Sequence, residues 1–560
     1  MALQISPKDS DLLLKQKNVL SDDVLGKYRR AGEIAQTCLK YIVSLINESY
    51  HLGQHEPYSA AELCLLGDSF MQTLVNKSFK KINEKGIAQP VTLDVNQIAG
   101  GYSPELNDDK GNLYFKPGDV VTVSLGCHID GYTANVAHSV VIYPPGTSAP
   151  GPLLGESADA VCASYLATES VITLLACALT PEKIPNAISE DKKVTGTMIR
   201  NLVNGIAESF NCAVVPTSKV RRVRRFLAGQ AEGVVAERDF KGVVWSESDQ
   251  ERALLEKSAA NSERQIAVVD ATNGRNVNEN PDNAIPSDDF VVLPGEVYLV
   301  DIKMSPLDKS EPGFITLESL DGTVKLNEEF NPKPSIYIRD VSITEQLKLR
   351  NSRRLLSLVD KKQSVYPFKL AYVSEGFPLK ADNDGESIIT QLQKVESDVK
   401  VFKFGLQECV NKTLFDKRPI LATKFIPLKE VLKLATATGV NGYDASNPTL
   451  PGLELPLPKL GVTALKLRTA LKHGVYITNA RHATTVALSN ERGALRLGGG
   501  ADMKVSFVHS AYQLEPRTAA AVTALAALAM DERFGVKVGE CRVLAETVAA
   551  AEAVADTMEE

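Results

Sequence analysis

The chain has 560 residues, of which 44% are hydrophobic and 23% are charged, so it can bury a large core and has room for more than one domain. Its formal net charge of −7 excludes a protein that binds nucleic acid as a polycation, but not one with a local basic patch. The eight cysteines never approach CxxC spacing, which argues against a zinc knuckle and a disulfide framework and favours a reducing compartment.

Membrane association is not expected from the sequence. The first residues, MALQISPKDSD, are polar and do not resemble a secretory signal. The most apolar long stretch, 158–179, contains Asp159 and Glu169, so we predict a buried helix there and a soluble protein.

The first 90 residues are predicted to be mainly helical. Ser21 is placed to cap a helix whose apolar positions keep a helical period as far as Ile46. Ser59 and Glu62 have the spacing of a capping box ahead of a second helix that runs to about residue 82. Further on, the pattern predicts strands over 91–142, helices at about 155–180 and 195–210, and strands at 213–226, 264–270 and 289–304.

After residue 305 the pattern loosens. A helix near 344–361 precedes an acidic stretch, a second helical segment to about 412, and the proline-rich LPGLELPLPKLG. We interpret 380–460 as an insertion rather than core. The alanine-rich tail from Arg517 is predicted to be helical, with an acidic end over 540–560. The expected organisation is one domain over 1–560, with N-terminal helices in 1–90.

A tight hairpin is predicted within PGDVVTVSLGCHIDGYTAN, residues 117–135. Asp130-Gly131 is a strong signal for a two-residue turn, because both central positions favour positive φ and β-branched runs flank them. Without a bulge, Gly126 faces Asn135, and Ser124 lies diagonally from Asn135 on the same face. The plain alternative is an ordinary half-buried hairpin with polar residues on its wet face.

A short internal repeat favours a functional interpretation of this hairpin. PGDVVTVS at 117–124 recurs as PGEVYLVD at 294–301, which puts Ser124 and Asp301 at the same place in the two copies. Such a repeat suggests two similar halves that share one sheet, with equivalent positions meeting near its middle.

Three long blocks resemble a known family: FLAGQAEGVVAERDFKGVVW, IPSDDFVVLPGEVYLVDIKM and LPGLELPLPKLGV. They are similar to the fungal factors for nuclear export of the large ribosomal subunit, a branch of the methionine-aminopeptidase-like family. The resemblance implies an α+β, pita-bread (creatinase-like) fold: a curved antiparallel sheet flanked by helix pairs, with insertions, around a cleft that holds two metal ions in the enzymes.

The resemblance also implies which positions correspond to the metal site of the enzymes. The two aspartates of the enzyme hairpin fall on Ser124 and Asn135, the ligand histidine on Gln230, and the two glutamates on Asp301 and near Ala483. The two histidines of the substrate site fall on Gly101 and near Glu237. A pair of divalent cations needs several anionic ligands, and only Asp301 supplies one. We therefore expect a pseudoenzyme with no catalytic residues, no metal and no cofactor.

Alternatives to the pseudoenzyme stay open at this point. The first is a metalloaminopeptidase that still works with altered ligands. A rebuilt single-metal site would have to use His128 or His138 of the same hairpin, and an exposed or hydrogen-bonded histidine is the simpler interpretation. The other alternative is a histone-binding module, because pita-bread domains are also used to bind histones. No GxSxG elbow supports acyl transfer.

Two basic clusters are candidates for contact with ribosomal RNA. The first comprises Lys219, Arg221, Arg222, Arg224 and Arg225, and the second Lys348, Arg350, Arg353 and Arg354. The family resemblance implies further partners: late nuclear pre-60S particles near the peptide tunnel exit, nucleoporin repeats and cytoplasmic release factors, with no membrane. It also implies shuttling between nucleus, nucleolus and cytoplasm.

Overall fold

The structure is a computed structural model. It describes residues 11–544 except for 55, 109–110, 147–150, 187, 190, 227–239, 248, 251–287, 308–311, 323–325, 327–329, 364, 381–387, 428–429, 431–470, 532 and 534.

Seven α-helices lie in the described part of the chain. They are α1 (Asp22–Ile46), α2 (Ala60–Lys77), α3 (Glu156–Ala176), α4 (Gly196–Ser209), α5 (Arg350–Lys362), α6 (Ile388–Asn411) and α7 (Pro516–Met530). Short 3-10 and π turns extend or connect them at Asp11–Lys15, Gln16–Asn18, Asn47–His51, Cys177–Leu179, Pro181–Lys183 and Leu370–Val373.

The strands of the described chain form three sheets. They are β1 (Lys85–Val95), β2 (Ile98–Gly100), β3 (Val120–Ile129), β4 (Tyr132–Val141), β5 (Cys212–Val214), β6 (Lys219–Arg222), β7 (Gly242–Val244), β8 (Val297–Pro306), β9 (Gly313–Leu320), β10 (Ile336–Arg339), β11 (Phe368–Lys369), β12 (Phe415–Lys417), β13 (Ile420–Pro427), β14 (Val475–Tyr476), β15 (Ala480–Ser489), β16 (Gly493–Arg496) and β17 (Val538–Glu540).

The main sheet has ten strands and is almost entirely antiparallel. Its central order is β1-β3-β4-β15-β8-β6-β7, with β16 beside β15, β17 parallel to β16, and β5 beside β8. The smaller sheets are β11-β10-β12 and β14-β13-β2, the latter with β9 paired to β13. Two strands distant in the sequence, β4 and β15, therefore join the N-terminal and C-terminal halves.

Two helix pairs cover the main sheet. The helices α1 and α2 pack on β1, β3 and β4, while α3 and α4 pack on β8, β15 and β5. Each pair shares a large apolar cluster with the strands beneath it. This arrangement, two similar halves meeting at the β4–β15 seam, is the pita-bread fold expected from the sequence.

The repeat over 117–124 and 294–301 explains the similarity of the halves. Gly118 and Gly295 both have positive φ, 93° and 86°, and each introduces a long buried strand, β3 or β8. Glycine adopts this backbone conformation without the steric cost that a Cβ would add. The prediction that both copies share one sheet is confirmed.

Most predicted helix starts agree with the structure because side-chain caps define them. The Ser21 Oγ accepts from the Val24 amide, and Ser59 with Glu62 forms the complete capping box. The second helix ends at Lys77 rather than near residue 82, since Phe79 has a φ of 44° that a helix does not allow. The predicted strand at 264–270 lies outside the described residues.

The predicted insertion over 380–460 contains core structure. β13 lies within it, pairs with β2 and β9, and buries Ile420, Ala422 and Ile426. That part of the stretch is therefore not an addition to the surface, and the extent of any insertion stays a prediction. The acidic end at 540–560 follows directly from the short strand β17, whose last residue is Glu540, and 545–560 lie outside the described residues.

Residues 156–179 form a helix and a following turn that are long and apolar enough to cross a membrane. However, 78% of the apolar 18-residue segment within them is buried inside the protein. The buried core helix predicted for this stretch is confirmed. All eight cysteines are free thiols, as their spacing predicted.

Candidate functional site

The β3–β4 hairpin has the predicted register without a bulge. Ile129 pairs with Tyr132, Gly126 faces Asn135, and Asp130 and Gly131 form the turn with φ values of 56° and 80°. The turn is held from outside the hairpin, because Lys27 and Arg225 both donate to the Asp130 carboxylate. Ser124 and Asn135 therefore lie on one face, as expected from the local pattern.

The strand order brings distant positions into a single row across the sheet. Ser124 of β3 is opposite Ala137 of β4, Ala137 is opposite Ala483 of β15, and Ala483 is opposite Asp301 of β8. Lys219 of β6 continues the row beside Asp301. Three positions that the family resemblance assigned to metal ligands thus occupy one line, at the seam between the halves.

The side chain of Arg481 connects two residues of this row. Its Nε donates to Asp301 Oδ1 at 2.7 Å and its Nη2 donates to Asp301 Oδ2 at 2.9 Å, which is a bidentate ion pair. Its Nη1 donates to the Ser124 hydroxyl at 3.2 Å. The two equivalent residues of the internal repeat, Ser124 and Asp301, therefore meet through one guanidinium.

The ion pair is buried, and the burial determines how its groups titrate. The side chains of Arg481 and Asp301 are only 12% and 5% exposed. Burial alone would raise the pKa of Asp301, but the positive charges of Arg481 and Lys303 lower it to about 2. Asp301 is therefore a carboxylate at any physiological pH, and its charge is balanced by protein cations.

The pKa values of Lys303 and Asp94 are set by burial and by the same neighbouring charges. Burial lowers the pKa of Lys303 to about 8, with Asp301 opposing the shift, and its Nζ donates to Thr217 Oγ1 at 2.9 Å. Burial raises the pKa of Asp94 to about 6, with Arg481 opposing it. The floor of the site thus contains two cations and two carboxylates.

A pair of metal ions does not fit this set of donors. Divalent cations need several anionic or imidazole ligands that converge with free lone pairs. Here Ser124 and Ala483 supply no charge, and Arg481 already binds both oxygens of Asp301. Within the described residues no three His, Cys, Asp or Glu side chains are grouped closely enough to hold an ion. A guanidinium occupies the place where the ligands would converge.

Of the remaining positions that the family resemblance assigned to the site, only Gly101 lies within the described residues. Gly101 lines the cleft with a φ of 87°, and a Cβ there would come within 2.6 Å of the Pro419 carbonyl oxygen, so no histidine side chain fits without movement. Gln230 and Glu237 lie outside the described residues.

The histidines of the hairpin do not form a metal site. His128 shares the face of Ser124, as predicted, but it is 3% exposed and stacks on Tyr366 with ring centroids 4.1 Å apart. The Nδ1 atom of His128 is buried and has no hydrogen-bond partner among the described residues. His138 is on the other face, and its Nε2 lies 3.2 Å from the Lys504 carbonyl oxygen.

The first basic cluster is largely internal. Arg222 and Arg224 are each 7% exposed, and the Arg222 Nη1 donates to Glu296 Oε1 at 3.1 Å. Arg225 binds Asp130 at the hairpin turn, whereas Lys219 and Arg221 line the cleft. The side chains of Arg222 and Arg224 are therefore packed against the protein rather than presented to a partner.

The second basic cluster is exposed. Lys348, Arg350, Arg353 and Arg354 are all at the surface, around the start of α5. Arg354 stacks over Phe402 of α6 and lies 3.6 Å from Glu375. Of the two clusters, this one has the accessibility that contact with phosphates requires.

The comparisons with known proteins identify relatives over the full length of the chain. No family model matches it. A Candida albicans protein named "Probable metalloprotease ARX1" is 50% identical over 549 residues, covering 96% of this chain and 97% of that protein. Its Saccharomyces cerevisiae counterpart of the same name is 44% identical over 582 residues and covers 96% of each chain.

Structural comparison agrees with the sequence comparison. A solved structure of a thermophilic Arx1 superimposes with a TM-score of 0.52 at 18% identity, covering 90% of this chain and 98% of that one. Because these relatives are 44–50% identical over almost the whole length of both chains, this chain belongs to the ARX1 family.

Proposed function

We propose that this chain is a catalytically silent member of its family that binds late nuclear precursors of the large ribosomal subunit and assists their assembly and export. The observation that carries the first half of this proposal is the bidentate pair between Arg481 and Asp301. A fixed guanidinium at the point where ligands would converge repels divalent cations as well as occupying the remaining carboxylate.

The peptidase reaction would need a metal-bound hydroxide near the substrate carbonyl. Ser124 and Ala483 cannot hold the ions that generate it, and the amide of Asn135 is a weak, uncharged ligand. Replacing the metals by an arginine keeps the halves of the sheet bound together without that chemistry. This supports retention of the fold for binding rather than for catalysis.

The second half of the proposal is supported by the exposed basic cluster at α5 and by the family resemblance. Lysine and arginine side chains that contact phosphates release condensed counterions, which gives a local patch substantial affinity for RNA even on an acidic protein. The partners that follow are ribosomal RNA and proteins near the tunnel exit, nucleoporin repeats and cytoplasmic release factors, with shuttling between nucleus, nucleolus and cytoplasm.

Two measurements test the proposal. Metal analysis of the purified full-length protein, with a peptide-cleavage assay in added Mn²⁺, Co²⁺ or Zn²⁺, should give no stoichiometric pair of ions and no turnover. Stoichiometric ions with cleavage would instead establish the working metalloaminopeptidase. Sedimentation of lysate on a sucrose gradient should place the chain with pre-60S particles, and preferential recovery with histones would favour the chaperone alternative.

A further inference from the structure

A cleft of about 400 Å³ opens over the Arg481–Asp301 pair. Strands β6, β8 and β15 contribute residues to its floor, while residues of β10, the β12–β13 connection and the 89–101 region line its sides. Six of its lining side chains are cationic and two are acidic. The cations are Lys219, Arg221, Lys303, Lys417, Arg418 and Arg481, and the acids are Asp301 and Asp416.

Two cations at the floor, Arg481 and Lys303, have more N–H donors than their hydrogen bonds to the described residues use. A guanidinium has five N–H donors, and the contacts of the Arg481 side chain with Asp301 and Ser124 use three of them. An ammonium has three N–H donors, and the contact of Lys303 with Thr217 uses one. Donors on rigid, buried cations are the usual means by which proteins bind carboxylates, because little side-chain entropy is lost.

The rest of the lining narrows the class of ligand. Leu299, Ile336, Ile338 and Leu421 place apolar side chains in the same cleft. A ligand that fits would offer an anion and apolar groups together, as an acidic polypeptide segment does. A phosphodiester backbone would supply the charge without apolar side chains.

We propose that this cleft binds an extended acidic peptide segment, with an aspartate or glutamate carboxylate between Arg481 and Lys303 and the flanking residues along the apolar wall. A positively charged peptide amino terminus would be repelled, because the lining of the cleft carries a net positive charge. The carboxylate of Asp301, which could otherwise attract it, is already paired with Arg481. The inference goes beyond the proposed ribosomal role and shares with it only the absence of metal ions from the cleft.

The test uses the full-length protein and fluorescence anisotropy with a fluorescein-labelled peptide of alternating leucine and glutamate, capped at both ends. The matched probe replaces every glutamate by glutamine. We expect the acidic peptide to bind at least about tenfold more tightly than the glutamine peptide. Equal affinities would overturn the proposal.

Variants at the mouth of the cleft add a second criterion. Lys417→Glu/Arg418→Glu should weaken acidic-peptide binding by about tenfold or more, while Lys80→Glu/Lys81→Glu, an equal charge change at two exposed lysines outside the cleft, changes it less than about twofold. Thermal melting confirms that both variants are folded.

Tighter binding of an oligouridylate of equal charge would assign the cleft to nucleic acid and overturn the proposal of a peptide ligand. Association with pre-60S particles is read separately, so either result leaves the ribosomal proposal to its own test.

Discussion

Arg481 reaches Asp301 diagonally across the β8–β15 ladder. The residue directly opposite Asp301 is Ala483, and Arg481, two positions earlier on the same face, pairs in register with Lys303. The small alanine leaves room for the guanidinium to lie over the carboxylate and to contact Ser124 as well. The small side chain of Ala483 and the position of Arg481 together therefore allow the ion pair with Asp301.

We expect Asp301→Asn to lower the free energy of unfolding by about 3–5 kcal/mol, because it leaves a buried guanidinium with no counter-charge. The double substitution Asp301→Asn/Arg481→Met should cost less than the single one, since it leaves no isolated charge at that pair. Denaturant unfolding of both variants and of Arg481→Met completes a double-mutant cycle. Independent, additive costs would show that the two residues do not stabilise each other.

The local pattern was sufficient to predict the hairpin, its register and the meeting of the two repeat copies, because a two-residue turn fixes which residues face each other. It was not sufficient to predict Arg481. That residue lies 180 positions from Asp301 in the sequence, and no motif anchors β15. A signal was present, since an arginine within the otherwise buried strand ARHATTVALS needs a counter-charge, but the sequence does not identify which acid supplies it.

The start of α5 was predicted too early for a similar reason. The amides of Lys348 and Leu349 donate to the carboxylate of Glu408 on α6, so a side chain distant in the sequence takes the place of a local cap. The helix begins at Arg350 instead of near residue 344. Capping between separate elements depends on packing and leaves no short-range pattern.

Charge reversal should have different effects at the two basic clusters. Arg222→Glu/Arg224→Glu would place new carboxylates beside Glu296, which is 13% exposed and already accepts from Lys241 at 2.7 Å. We expect a loss of stability of about 3 kcal/mol or more, measured by denaturant unfolding. Reduced association of this variant with ribosomal particles would therefore report on folding. Unchanged stability would show that these arginines are not required inside the protein.

Lys348→Glu/Arg350→Glu should leave stability within about 0.5 kcal/mol of the wild type, because both side chains are exposed. If these residues contact phosphates, the variant dissociates from pre-60S particles at lower salt, and the log–log salt slope falls by about 2. Salt titration on sucrose gradients measures this, with Lys80→Glu/Lys81→Glu as the matched control. An identical salt profile for variant and wild type would remove α5 from the interface.

Stability between about pH 5 and 7 should depend on Asp94 and not on Asp301, whose contribution changes only below about pH 5. Burial raises the pKa of Asp94 from 3.8 to about 6, so the folded protein binds this proton more tightly than the unfolded chain. The contribution of Asp94 to the free energy of unfolding therefore increases as the pH falls from about 6 toward 4. Asp301, with a pKa of about 2, stays charged in the folded state throughout. Asp94→Asn should reduce the pH dependence of unfolding in this range, and an unaltered slope would contradict the assignment.

Rebuilding the metal site provides the strictest test of the role given to Arg481. The substitutions Ser124→Asp, Asn135→Asp and Ala483→Glu would add three carboxyl groups on the face of Asp301, those at 124 and 483 in its row. With Arg481 retained, we expect no binding of Mn²⁺, since one guanidinium still neutralises Asp301 and repels the ion. With Arg481→Ala added, the four carboxylates should bind Mn²⁺ at micromolar concentrations, on the order of −8 kcal/mol, in isothermal titration calorimetry. Equal Mn²⁺ affinity in the two folded variants would show that the arginine is not what excludes the metal.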